Sequence, residues 1–265
     1  MAIRVIVAGA TGWTGGAVAQ AVLEAADLAL VGAVARAAAG RDIGEALGGA
    51  AVGIRVVGSV EEALKAGADV LVDYTSPEAV KANTLAAIAA GVAVVIGTSG
   101  LSATDYAEID AAARARKVGV FAAGNYSITA TLMSKFALMA ARYVADVEVI
   151  DYAAAEKRDT PSGTARELAE RLSEVRRPAT SVPVGELAGI RETRGGTIDA
   201  VQVHSLRLPG YVLSCEAQFG APGERLVIRH DAGSDAAPYV AGTLLALRRV
   251  GERSGLRRGL DQLIE

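Results

Sequence analysis

Short runs of β-branched and aliphatic residues recur through the first half of the chain, each followed by a longer Ala-rich stretch with helical spacing of its apolar positions. IRVIVA (3–8), LALVGAVA (28–35), IRVVG (54–58), DVLVDY (69–74), VAVVIG (92–97) and VGVFAA (118–123) read as strands. GGAVAQAVLEAA (15–26) and PEAVKANTLAAIAA (77–90) read as helices between them. The alternation predicts repeated βαβ units: a Rossmann-type doubly wound parallel sheet with helices on both faces. The stretch 122–144 reads as a helix, and after it the texture changes. VEVIDYAA (147–154), TIDAVQVHSLRL (197–208), YVLSCEAQF (211–219) and RLVIRH (225–230) are strands with few helices between, which predicts a second α+β domain with a mixed, open sheet. The expected division is 1–126 and 127–235, with a helical tail over 236–265 packing back on the first domain.

With 265 residues, 51% of them hydrophobic, the chain can bury a substantial core. A formal net charge of −3, with Lys and Arg dispersed, gives no basic tract to hold nucleic acid. The single cysteine, Cys215, excludes an intrachain disulfide and a thiolate metal cluster. No signal-peptide pattern opens the sequence, and the apolar stretch 85–100 is broken by Gly91 and Gly97, so neither export nor a membrane span is expected and the reading is cytoplasmic. The loop 176–196 is rich in Pro, Gly and Arg; a connection that long is usually functional, an interface, or mobile.

The first strand ends in GATGWTG, placing Gly9, Gly12 and Gly15 at three-residue spacing where a helix opens. Such a turn lets the backbone approach a pyrophosphate and aims a helix N-terminus at it. Ala35 and Arg36, with Arg41 close behind, follow the second strand, where an NAD-selective site usually sets an acid. An arginine there suits the 2′-phosphate of NADPH, although NADH remains possible. Gly97–Gly100 and Ala122–Ser127 lie at later strand ends, and small residues there are expected to give a nicotinamide room. In 151–165, DYAAAEKRDTPSGTA, Lys157 precedes a turn that opens a helix, an arrangement suited to an anionic ligand. No tyrosine has a lysine four residues on, which argues against a short-chain dehydrogenase.

Taken together, the glycine turn, VDYTSPEAV, VVIGTSGLS, FAAGNYSIT, KRDTPSGTA, VHSLRLPGYV and ERLVIRHDA resemble the dihydrodipicolinate reductase family over nearly the whole chain. The resemblance implies a dinucleotide-binding domain, a substrate domain that also forms a tetramer, and hydride transfer from NAD(P)H to a small cyclic imine of lysine biosynthesis. It places cofactor contacts at Gly9, Ala10, Thr11, Gly12, Trp13, Thr14, Ala35, Arg36, Gly97, Thr98, Ser99, Ala123, Gly124, Asn125 and Tyr126. Gly163 and Thr164 correspond to the family's substrate-grasping pair and Lys157 to its catalytic lysine; no metal is implied.

The chain departs from that pattern at one point. Ala153 and Ala154 stand where the family carries two adjacent histidines, one proposed as acid/base and the other as a carboxylate contact. Only His204 and His230 exist, both in predicted strands. Loss of a general acid weakens catalysis by on the order of 10²- to 10⁴-fold without abolishing hydride transfer, and a protonated iminium brings its own proton. Lys157, Tyr152, Glu156 and Asp159 are the local candidates for polar chemistry, and the apolar neighbourhood suits a less anionic or bulkier imine. The competing expectation is a non-catalytic NADPH-binding regulatory module.

Overall fold

The computed structural model describes residues 1–178 and 182–264. It comprises two compact units, Met1–Ile128 with Ala236–Glu265, and Thr129–Asp235.

The first unit contains β1 (Ile3–Ala8), α1 (Trp13–Glu24), β2 (Leu28–Val34), α2 (Ile43–Ala46), β3 (Val56–Val57), α3 (Val60–Leu64), β4 (Val70–Asp73), α4 (Val80–Ala89), β5 (Ala93–Ile96), α5 (Ala103–Arg116) and β6 (Gly119–Ala122). After the second unit intervenes, α8 (Ala237–Arg249) and β12 (Gly255–Arg258) complete it. Seven parallel strands run in the order β12-β6-β5-β4-β1-β2-β3. Successive side chains alternate between the faces. Val5, Val7, Val72, Val95 and Phe121 pack with Val18, Ala19 and Val22 of α1 and with Ala246 and Leu247 of α8. Ile6, Ala8, Leu71, Val94 and Val120 pack on the other face with Val60 of α3, Val80 and Ile88 of α4 and Ile109 of α5. Burial on both faces is why these strands read as continuous apolar runs.

The tail departs from its reading as helical over 236–265. Helix α8 stops at Arg249, and Gly255–Arg258 joins the sheet edge beside β6, with Leu256 donating its N–H to Asp110 at 2.8 Å. The sequence LRR carries no apolar alternation, so only the partner strand defines it.

The second unit holds α6 (Ile128–Ala141, apart from its first residue), β7 (Asp146–Ala153), α7 (Gly163–Val175), β8 (Gly196–Ile198), β9 (Val201–Arg207), β10 (Leu213–Ala221) and β11 (Glu224–Ala232). Its mixed sheet runs β11-β10-β7-β9-β8, with β7 and β9 parallel and the other pairs antiparallel. Val147, Val149, Val203, Ala217 and Phe219 pack with Met133 and Ala137 of α6 and Leu168 and Leu172 of α7. The run 197–208, read as one strand, is a hairpin of β8 and β9, turned at Asp199 with φ 51°. Residues 179–181 of the long loop lie outside the described residues; Pro178, Val182, Leu187 and Arg194 from it border a cavity of about 650 Å³ over the sheet's other face.

Candidate active site

Strand β1 lies between β2 and β4, so the chain reverses direction across the sheet at β1 and leaves a crevice at the C-terminal ends of β1 and β4. The glycine turn sits there. Gly9 has φ 80°, and a Cβ on it would lie 2.2 Å from the Tyr74 carbonyl oxygen at the end of β4, so only glycine fits. Helix α1 then starts from Gly12 with no side-chain cap and no acid in its first turn. Helices α2, α3 and α5 close their N-termini with Asp42, Ser59 and Ser102, whereas α1 and α7, like α4 and α8, do not. Thr11, Gly12 and Trp13 are exposed, Thr14 is half-buried and Ala10 is buried. Free N–H groups at a positive helix end, with no acid to repel an anion, fit the pyrophosphate of a dinucleotide.

Ala35 is half-buried at the end of β2, and exposed Arg36 opens a short 3₁₀ turn. Arg41 donates to the Glu45 carbonyl at 3.3 Å. Neither arginine forms an ion pair among the described residues.

At the ends of β4 and β5 the organising group is Asp73, which sequence reasoning passed over. Its fully buried carboxylate accepts from the Thr75 N–H (2.9 Å), the Thr75 hydroxyl (2.7 Å), the Thr98 hydroxyl (2.8 Å) and the Asn83 amide (2.8 Å). The signal was present: an acid closing an otherwise apolar strand, followed by TSP, has to find donors locally. Gly97 was expected to leave room for a nicotinamide, but a Cβ there would meet the Tyr74 ring at 2.1 Å, so its smallness serves that ring. The Tyr74 hydroxyl bonds Thr243 at 2.6 Å. Ser99 and Gly124 are exposed, while Ala123 and Asn125 are half-buried, and the Asn125 side chain accepts from the Ser127 N–H at 2.8 Å. Tyr126 is core: its hydroxyl donates to the Ile96 carbonyl at 2.7 Å, and burial pushes its pKa well above the phenolic value.

In the second unit, β7 delivers the segment that the two alanines interrupt. Ala153 is fully buried between Leu213 of β10 and Arg207 of β9, so its small side chain opens no void to solvent. Ala154 is half-buried and its carbonyl accepts from the Lys157 N–H at 3.1 Å. Lys157, about a third exposed, pairs through Nζ with Asp159 at 2.7 Å, and that bond holds the Asp159 carboxyl below the usual range. Helix α7 follows, with Gly163 exposed and with open space beside it and Thr164 half-buried.

Three residues considered as substitutes for the missing histidines are placed elsewhere. Tyr152 points to the sheet face away from α7, where its hydroxyl donates to Glu216 at 3.2 Å and the Arg229 guanidinium lies 4.5 Å from its ring centre. Burial raises its pKa, reinforced by the Glu216 charge, so it is a poor donor near neutrality. His204 shares that face and bonds Glu148 at 2.7 Å. His230 pairs in register with Cys215, and burial lowers its pKa. Burial also pushes the Cys215 thiol up to about 12. No group of three or more His, Cys, Asp or Glu side chains is placed to hold a metal, and no helix is long and apolar enough to cross a membrane, among the described residues.

The parallel sheet with its glycine turn at the switch point, joined in one chain to a mixed-sheet unit, places the protein in the class of two-unit proteins built on a dinucleotide-binding fold. Residues 3–126 match the family description "Dihydrodipicolinate reductase, N-terminus" and residues 129–264 match "Dihydrodipicolinate reductase, C-terminus". The chain belongs to the dihydrodipicolinate reductase family. It is 43% identical to a 4-hydroxy-tetrahydrodipicolinate reductase of Desulfitobacterium hafniense over 99% of both chains. It is 41% identical to that of Thermosynechococcus vestitus, over 99% of this chain and 97% of the relative. Among solved structures, dipicolinate-bound dihydrodipicolinate reductase from Paenisporosarcina sp. TG-14 superposes with a TM-score of 0.88 at 30% identity, covering 100% of each chain.

Proposed function

We propose that the protein is an NADPH-dependent reductase of a small cyclic imine that carries at least one carboxylate, with 4-hydroxy-tetrahydrodipicolinate as the leading substrate. The observation that carries the reading is the retained anion cradle of the second unit: Lys157 and the uncapped start of α7 at Gly163 and Thr164. The first turn of α1 with Gly9, Ala10, Thr11, Gly12, Trp13 and Thr14 fits the cofactor's pyrophosphate, and Arg36 its 2′-phosphate. Backbone at Gly97, Thr98, Ser99, Ala123, Gly124, Asn125 and Tyr126 borders the nicotinamide end in this reading. Bound NADPH supplies the hydride. Lys157 holds the substrate carboxylate or donates a proton through Nζ after exchanging its contact with Asp159. An imine that enters protonated needs no replacement for the absent histidines. The family resemblance supports a homotetramer, which light scattering of the purified protein tests.

The decisive assay follows NADPH oxidation with freshly generated 4-hydroxy-tetrahydrodipicolinate beside a panel of uncharged cyclic imines. Turnover of the dicarboxylate is expected; turnover confined to uncharged imines overturns the carboxylate assignment, and cofactor binding without any turnover would leave a regulatory module. Lys157→Ala is expected to lower kcat/KM about tenfold or more, the effect of removing a positioned acid or charge contact.

A further inference from the structure

Ser162 occupies the N-cap position of α7, where a serine hydroxyl ordinarily accepts from the helix's own first-turn N–H groups. Here it makes no such bond. Its hydroxyl instead donates to Asp151 Oδ1 at 2.7 Å, and its N–H donates to Asp151 Oδ2 at 2.9 Å. Asp151 is fully buried on β7, on the face toward α7, and Ser162 is 2% exposed. The same carboxylate accepts from Arg207 Nη2 at 2.7 Å and from the Ser205 hydroxyl at 3.2 Å. Arg207 Nη2 also donates to the Asp159 carbonyl at 2.7 Å, two residues past Lys157. One buried acid therefore ties both ends of the segment 159–162 to the sheet, directly at Ser162 and through Arg207 at Asp159.

We infer that Asp151 is a positioning residue for substrate binding: it draws the Ser162 hydroxyl away from capping α7, leaves the helix's first N–H groups open for a substrate carboxylate, and with Arg207 fixes the backbone that carries Lys157. An ordinary structural ion pair would account for Arg207 but not for the diverted cap. A helix end left open in this way loses the stabilisation a cap gives, which is consistent with selection for ligand binding at that end. The inference rests on the proposed substrate site at Lys157, Gly163 and Thr164.

The test uses the full chain and two ligands. Dipicolinate, a planar dicarboxylate that resembles the proposed substrate, reports on the cradle by calorimetric titration; NADPH, followed by energy transfer from Trp13, the only tryptophan, reports on the first unit. Ser162→Ala leaves the first N–H groups of α7 open and removes only one of the bonds that anchor them to Asp151, whereas Asp151→Asn removes the anchor and releases the Ser162 hydroxyl to cap the helix. Dipicolinate affinity is expected to fall about threefold or more in Ser162→Ala and about tenfold or more in Asp151→Asn while NADPH affinity stays within about twofold in both, the split that a contact loss local to one site produces. Should Asp151→Asn fail to fold, Ser162→Ala decides. Unchanged dipicolinate affinity in Ser162→Ala overturns the inference, as does an equal loss of both ligands or a wild type that does not bind dipicolinate. A wild type that binds dipicolinate with the expected split yet reduces no imine would refute the proposed reaction and leave the positioning role standing.

Discussion

Two buried acids organise the backbone at strand ends in the two units. Asp73 gathers four donors at the end of β4, and Asp151 gathers four around α7. A buried carboxylate is tolerated only when its oxygens are satisfied, so each fixes the loop that supplies its donors. Arg36, by contrast, is exposed and without an ion-pair partner among the described residues, as a residue awaiting a phosphate would be. Arg36→Ala is expected to raise the Kd for NADPH about tenfold or more and leave NADH nearly unchanged, read by Trp13 energy transfer; an equal effect on both cofactors would remove the 2′-phosphate assignment. Glu148 gives a pH signature. Burial pushes its carboxyl up, but the bonds from Arg194 and His204 together outweigh it, and the net pKa lies below the ordinary 4.5. A depressed folded-state pKa stabilises the fold fully above the ordinary value, and the contribution is lost as pH falls through the lowered one. Urea midpoints at about pH 7 and about pH 4 are therefore expected to differ less in Glu148→Gln than in the wild type.

At the scale of elements, α7 packs through one stripe and leaves its first turn without a side-chain cap. Ala165, Leu168, Ala169 and Leu172 form its buried stripe, spaced three and four residues apart, against Val203 and Phe219 of the sheet. Leu172→Ala is expected to cost about 2–5 kcal/mol, the transfer and cavity cost of a buried leucine, with dipicolinate affinity of the folded protein preserved. A loss of dipicolinate affinity in that variant would contradict the separation of the packing stripe from the first turn. The strands of the first sheet were legible because burial on both faces imposes a local, repeated apolar signature on them. β12 and the split of 197–208 into β8 and β9 were not: the first is defined by its partner strand, and the second by a turn at Asp199 that the surrounding β-rich residues conceal.

For the molecule as a whole, a ligand that binds only the folded chain must stabilise it by mass action. NADPH at about 100 times its Kd is expected to add about 2.7 kcal/mol to the unfolding free energy, seen as a concentration-dependent rise in Tm. NADH at the same absolute concentration should give a smaller rise if Arg36 selects the phosphorylated cofactor; equal rises would argue against selection.

The sequence by itself determined the doubly wound α/β class and the mixed second sheet, because apolar periodicity and glycine-rich turns are local consequences of how each segment is buried; membership of the reductase family was legible from the resemblance of its ordered motifs. It also exposed the alanines at 153 and 154. Only the tertiary structure decided what surrounds them. Ala153 is enclosed by Leu213 and Arg207, Tyr152 is turned to the opposite face and held by Glu216, and Gly97 makes way for the Tyr74 ring. Each outcome depends on residues tens of positions away brought together by strand order and register, which no local pattern encodes. The diverted cap of α7 belongs to the same class: KRDTPSGTA reads as a turn that opens a helix, and only the placement of Asp151 on β7 beneath Ser162 shows where the serine hydroxyl goes.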